Sequence, residues 1–294
     1  MDLTGLKALV LGGANGLLGQ ALVRALADAG AEPLALSSTD VDYDDEDALA
    51  ALLDRESPAL VINAVAYTQV DQAEDDAKEA DALNRVLPKR LVRLCRARNL
   101  LLVHFSTDFV FSGQGDAPYR PDDDTGPVSV YGETKLAGEQ AVLAEYPGGA
   151  LVVRTSWLFG PGRTNFVHKI LGLARERDRL TVVHDQCGSP SYTPDLAAGT
   201  LALVRADARG VFHLANAGEA SWCELATEAV RAAGLPCRVE PVPTSAYPTK
   251  AQRPAYSVLD LSDFTSATGI TPRPWPQAVR DYVFNDLADE LDDT

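Results

Sequence analysis

A glycine-rich turn near the N-terminus limits the fold more than any other feature. Lys7–Leu11 (KALVL) is a short apolar run that leads straight into Gly12, Gly13, Gly16 and Gly19. From Gln20 to Ala29 apolar residues recur at helical spacing, and Gly30 closes the segment. Strand, glycine turn and helix in that order open a parallel α/β sheet. Such a turn needs glycine because the chain must take positive φ or bring backbone against backbone with no Cβ between. The spacing Gly13-x-x-Gly16-x-x-Gly19 also leaves unpaired N–H groups at the helix start, where a dinucleotide pyrophosphate can dock. A ligand-free turn could carry the same glycines, but the position between first strand and first helix favours cofactor binding.

The alternation continues. Glu32–Leu36, Ala59–Ala66, Leu100–Ser106 and Ala150–Thr155 read as strands, with helices expected over 47–55, 75–98 and 129–143. This pattern predicts an α/β fold with a Rossmann-type doubly wound parallel sheet. Residues 1–157 are expected to form an NAD(P)-binding domain. Beyond Trp157 the pattern loosens, and residues 158–294 read mainly as a smaller C-terminal substrate-binding lobe. Leu180–His184 and Gly210–Leu214 are expected to rejoin the sheet, and the acidic tail 286–294 to fray.

Charge narrows the partners. Lys plus Arg number 26 against 42 Asp plus Glu, a net charge of −16. Such a chain repels nucleic acid and anionic lipid, so neither nucleic acid nor membrane is an expected partner. Cys95, Cys187, Cys223 and Cys237 form no CxxC pair and no zinc-ligand spacing. They read as reduced thiols, which with the absence of a signal-peptide pattern gives a cytoplasmic expectation. His104, His168, His184 and His213 are scattered along the chain and read as structural or surface residues.

The chemistry concentrates in a second motif. Tyr131-Gly132-Glu133-Thr134-Lys135 is YxxxK within a helical segment, and a spacing of four puts both side chains on one face. A phenol near pKa 10 exchanges protons poorly at neutral pH, and a neighbouring ammonium lowers that value. Such a tyrosine can protonate the oxygen of a carbonyl under reduction. The strand at Leu102–Ser106 runs out into Thr107 and Asp108, and sites in parallel sheets lie at strand carboxyl ends. Ser106 or Thr107 can therefore hold the substrate oxygen beside Tyr131. Glycine turn, strand-end hydroxyl and YxxxK, in that order, point to a nicotinamide-dependent oxidoreductase.

These residues resemble the extended short-chain dehydrogenase/reductases and, among them, the dTDP-4-dehydrorhamnose reductase family. The matching stretches are VINAVAYTQVD (61–71), STDFVF (106–111), VYGETKLAGE (130–139), RTSWLFG (154–160), Asn165-Phe166, VHDQCGSP (183–190), VPTSAYPT (242–249) and Arg253-Pro254. The resemblance implies NADPH- or NADH-dependent reduction of the C4 ketone of dTDP-4-dehydro-β-L-rhamnose. It assigns Thr107, Tyr131 and Lys135 to catalysis, with Thr107 hydrogen-bonding the sugar oxygen, Tyr131 the acid and Lys135 its partner and ribose contact. Cofactor contacts carried over are Gly13, Gly16, Leu17, Leu18, Gly19, Ser37, Asp42, Tyr43, Ala66, Tyr67, Thr68 and Phe105. Substrate contacts are Thr107, Asp108, Trp157, Asn165 and Arg253. Trp157 would wall the deoxysugar or else pack as a core residue. Arg253 would pair with the diphosphate or else anchor its loop.

Three departures matter. Phe109 stands where the family often has tyrosine. Ser37 replaces the acid that holds the ribose 2′-hydroxyl of NAD, and no arginine is near to pair with a 2′-phosphate, so NADH and NADPH both stay open. Ala21 and Pro194 stand where some relatives supply glutamates to magnesium at a dimer interface. That counts against magnesium and against that dimer, and a homodimer stays open. Two rivals remain: a non-catalytic subunit like the β subunit of methionine adenosyltransferase, and another nucleotide-sugar enzyme such as a 4-epimerase or 4,6-dehydratase. The first would be expected to lack Thr107, Tyr131 or Lys135. A dehydratase needs an acidic pair beside the catalytic hydroxyl, but Asp108-Phe109 follows Thr107.

Overall fold

A computed structural model describes residues 1–287; positions 288–294 of the acidic tail lie outside the described residues. Six strands form the central sheet: β1 (Lys7–Leu11), β2 (Glu32–Leu36), β3 (Leu60–Asn63), β4 (Leu101–Thr107), β5 (Ala150–Thr155) and β6 (Gly210–His213). Their order is β2-β1-β3-β4-β5-β6, and every neighbouring pair is parallel. The inner strands are apolar almost without alternation because helices cover both faces. Leu60, Val61 and Ile62 of β3 are all fully buried.

The covering helices are α1 (Leu17–Asp28), α2 (Glu46–Glu56), α3 (Leu87–Ala97), α4 (Val130–Glu145) and α5 (Thr193–Arg205). Leu18, Leu22 and Leu26 of α1 join Leu196 and Leu201 of α5 on one face. Leu49 and Leu53 of α2, Leu91 of α3 and Val142 of α4 cover the other. Strand order reverses between β1 and β3, so the carboxyl ends there flank a crevice, the usual ligand position in such sheets.

Two sequence expectations change. Gly210–His213 joins the sheet beside β5, but Arg179–Val183 does not. It pairs in parallel with Arg238–Val242, and its inward residues Leu180 and Val182 pack against Ile170, Ala226 and Val230. Its alternating burial suits a two-stranded ribbon with one covered face better than a central strand. The single helix expected over 75–98 is also broken. Ala77–Asp81 passes through a π-turn at Ala82–Val86 before α3 begins. Pro88 near the start of α3 cannot donate to a preceding turn, and the widened turn carries buried Asn84. Such turns are frequent at functional sites.

Candidate active site

The glycine turn is shaped for close approach. Gly12 takes φ +79°, and a Cβ on Gly19 would lie 2.0 Å from the Gly12 carbonyl oxygen. Cβ atoms on Gly13 and Gly16 would meet backbone oxygens at 2.8 and 2.6 Å. Helix α1 starts from Gly16 with no side-chain cap, so its first N–H groups face outward beside Leu17. This cradle fits a dinucleotide pyrophosphate. Gly12, not singled out by the motif, makes the only left-handed step in the turn.

The remaining cofactor candidates divide. Ser37 follows β2, but its hydroxyl and N–H both donate to Asp40 at 2.7 Å. Asp42 is exposed and caps Asp44 N–H. Tyr43 is a core residue beside Leu36 and Leu49, and burial pushes its phenol up. Ala66, Tyr67 and Thr68 form the loop after β3, which Asn84 clamps. Asn84 accepts from Tyr67 N–H at 2.9 Å and donates to the Tyr67 carbonyl and to Thr134 Oγ1. It thereby ties this loop to α4, one residue from Lys135. Asn84 is not legible in the sequence, because a lone asparagine in a helical segment gives no local signal for the role.

Thr107, Tyr131 and Lys135 converge at the carboxyl end of β4. Ser129 caps α4, accepting from Gly132 N–H, and this fixes Tyr131 in the first turn. The Tyr131 ring meets Phe109 edge-on at 5.5 Å. Lys135 is 2% exposed, and its Nζ donates to the Phe105 carbonyl at 2.5 Å. Burial lowers this ammonium to about 8, against the opposing field of Glu139.

The phenol departs from expectation. Burial pushes Tyr131 up to about 12, partly offset by a hydrogen bond with Thr107 and reinforced by Asp108. Lys135 is not among the groups acting on it, because the ammonium is turned to Phe105. Thr107 departs too. Its hydroxyl donates to Asp108 Oδ1 at 3.0 Å and accepts from Phe109 N–H, so in this arrangement its one proton is not offered to a sugar oxygen. Asp108 is 2% exposed. Burial raises its carboxyl to about 6, against hydrogen bonds from Ser257 and Thr107. Ser106, the other strand-end hydroxyl, is buried with no partner.

The substrate candidates are spread more widely. Trp157 takes φ +48°, a left-handed conformation costly for a bulky residue and concentrated at functional positions. It stacks on Trp222 at 3.6 Å and lies over Gly188, where a Cβ would come within 2.6 Å of the indole. It is partly exposed and packs against the core around Phe159, Val167 and Tyr282. Asn165 is engaged within the fold. Its Oδ1 caps His168 N–H, and its amide donates to the Gly160 carbonyl and Tyr282 hydroxyl. A buried amide so engaged has little left for a ligand, and an asparagine just ahead of the helix Phe166–Glu176 is an N-cap signature. Arg253 forks onto Asp71 at 2.7 and 3.0 Å and holds that carboxyl down at about 2. Beside it, Lys250 pairs with Asp75. In this structure Arg253 thus ties its loop to the segment carrying Asp71.

His104 and His213 are buried and held neutral. Ala21 is packed into the core and Pro194 lies in the first turn of α5, so neither position offers an oxygen ligand. Among the described residues no three His, Cys, Asp or Glu side chains are grouped to hold a metal ion. No helix among them is long and apolar enough to cross a membrane.

Comparison with known proteins adds the family context. Residues 7–287 match the RmlD substrate binding domain family. The chain is 44% identical over 282 residues to a dTDP-4-dehydrorhamnose reductase of Mycolicibacterium smegmatis, covering 94% of this chain and 85% of that protein. It is 40% identical over 269 residues to a dTDP-4-keto-6-deoxy-D-glucose reductase of Streptomyces niveus, covering 91% and 93%. A dTDP-4-dehydrorhamnose reductase from Bacillus anthracis, solved in complex with NADP, superposes with a TM-score of 0.92 at 28% identity, covering 96% and 99%.

Proposed function

Because the chain belongs to the RmlD substrate binding domain family, we propose that it is an NAD(P)H-dependent oxidoreductase that reduces dTDP-4-dehydro-β-L-rhamnose to dTDP-β-L-rhamnose. The observation that carries this reading is the convergence of Thr107, Tyr131 and Lys135 at the end of β4, beside a turn that excludes Cβ atoms from a phosphate cradle. Relatives named for this reaction support it, as does a neighbour that binds NADP.

Gly12, Gly13, Gly16 and Gly19 admit the pyrophosphate, and Leu17 and Leu18 follow with the N–H groups of α1. Ala66, Tyr67 and Thr68, clamped by Asn84, run along the cofactor. When bound, the dihydronicotinamide supplies a hydride to sugar C4. Tyr131 gives its proton to the ketone oxygen as negative charge develops there. Lys135, its Nζ fixed by the Phe105 carbonyl, would hold the nicotinamide ribose. Trp157 presents an apolar face to the deoxysugar. The second lobe, from about residue 158, closes the substrate side.

The direct test is NAD(P)H oxidation with enzymatically made dTDP-4-dehydro-L-rhamnose, run against dTDP-4-keto-6-deoxy-D-glucose. Faster turnover of the first sugar by kcat/KM supports the assignment, preference for the second moves the substrate to that sugar, and no turnover with cofactor bound favours a non-catalytic subunit. A pH dependence follows. Lys135 is charged below about pH 8 and neutral above it, so KM for the cofactor is expected to rise as pH passes about 8. What activity Lys135→Arg retains should show no such rise, because guanidinium stays charged.

A further inference from the structure

The carboxylate of Asp108 is held from both lobes. Oδ1 accepts the Thr107 proton at 3.0 Å from the end of β4. Oδ2 accepts from Ser257 Oγ at 2.6 Å, across 149 residues of sequence. Ser257 is 1% exposed and lies on an extended segment stitched into place by its neighbours. Its N–H donates to the Cys187 carbonyl, Cys187 N–H donates to the Ala255 carbonyl, and Leu259 N–H donates to Ser189 Oγ. Tyr119 and Leu259 form a further parallel bridge. The position of this hydroxyl is therefore fixed by backbone.

A hydroxyl carries one proton. While Tyr131 is neutral, Thr107 can point its proton at Asp108 and accept from the phenol. Once Tyr131 has protonated a substrate, its oxygen is an anion and needs a donor. Thr107 is the hydroxyl in reach, but turning its proton to the phenolate strips one hydrogen bond from a buried carboxylate. Such a loss is costly unless another donor stays in place. Ser257 is that donor.

We infer that Ser257 is a positioning residue for the reduction: it keeps Asp108 hydrogen-bonded while Thr107 swings its proton from Asp108 to the Tyr131 oxygen. The inference rests on Tyr131 being the acid. The proton that leaves Tyr131 goes to the ketone oxygen, and Thr107 reorients its O–H without losing it, so no further reactant is needed. Asp108 is the charged group that acts on the phenol. The carboxylate itself faces the hydroxyls of Ser257 and Thr107 and the backbone N–H groups of Asp108 and Phe109.

With Ser257→Ala, Asp108 keeps one side-chain donor and grips the Thr107 proton harder. The loss of a hydrogen bond to a charged group predicts a fall in kcat of about 10- to 100-fold, with little change in KM for NAD(P)H. Ser257→Thr retains the hydroxyl and should recover most of it. The second readout needs no sugar. In protein labelled with 13Cγ-aspartate, with the Asp108 resonance assigned by its loss in Asp108→Asn, the ionisation midpoint of Asp108, about 6, should rise by about one pH unit in Ser257→Ala, because a donor to the charged form is lost, and return in Ser257→Thr. An unchanged midpoint in Ser257→Ala overturns the inference, and so does a folded Ser257→Thr protein that behaves like Ser257→Ala. If the wild-type protein fails to reduce the sugar, the proposed function falls, and the aspartate titration still decides whether Ser257 holds the Asp108 carboxylate.

Discussion

The Tyr131→Phe protein is expected to bind NAD(P)H as the wild type does and to lose about a thousandfold in kcat, within the usual range for removing a general acid. The substitution deletes one O–H and leaves the ring. The edge-on contact with Phe109 at 5.5 Å survives, as does the Ser129 cap that starts α4. Thermal stability should therefore change little. The lost proton has no ready substitute. The Thr107 hydroxyl donates to Asp108, Lys135 is turned to the Phe105 carbonyl, and the Asp108 carboxylate is enclosed by Thr107 and Ser257. Initial rates with saturating sugar, beside cofactor binding by fluorescence, separate the effects. Retention of more than a tenth of wild-type kcat would mean that the proton reaches the ketone from another group.

What the sequence reveals and hides follows from the range of each interaction. The glycine turn, the helix carrying Tyr131 and Lys135, and the hydroxyls ending β4 are local patterns, since strand ends and helix faces are set by neighbours in the chain. The spacing also tells that Tyr131 and Lys135 share a face, but not what each one touches. Lys135 meets the Phe105 carbonyl 30 residues away, so the expected lowering of the phenol gives way to burial. Ser257 and Asp108, or Arg253 and Asp71 at a separation of 182, meet only when the C-terminal part of the chain folds back on the central sheet, and no spacing rule reaches that far. The strand at Arg179–Val183 shows the same limit. Its composition suits any sheet, and only its packing against Ala226 and Val230 decides which. Asn165 heads the helix Phe166–Glu176 as its N-cap, a local role that an asparagine just ahead of an apolar helical run can carry.

The largest loss of stability is expected from Glu139→Ala. Glu139 and Arg154 form a forked ion pair, at 2.5 and 3.0 Å, with both side chains less than 5% exposed. Arg154 also donates to the Pro121 carbonyl and lies over the Phe111 ring. A buried pair adds little net stability over apolar residues of the same shape, but removing one partner leaves an uncompensated charge in the core, at about 3–5 kcal/mol. For a chain of this size that is about 10 °C in Tm. The double variant Glu139→Leu with Arg154→Met should recover most of the loss, and failure to do so would show that the pair contributes more than mutual neutralisation. The same substitution reaches the active site. Glu139 lies one turn beyond Lys135 on α4, and its field raises the Lys135 ammonium. Without it the lysine gives up its proton more readily, so the rise in cofactor KM should begin below pH 8, in Glu139→Ala and in the double variant alike. Two residues that the sequence presents only as letters of separate motifs, the Glu of VYGETKLAGE and the Arg of RTSWLFG, thus seat the Tyr131 helix against β5 and keep its lysine charged.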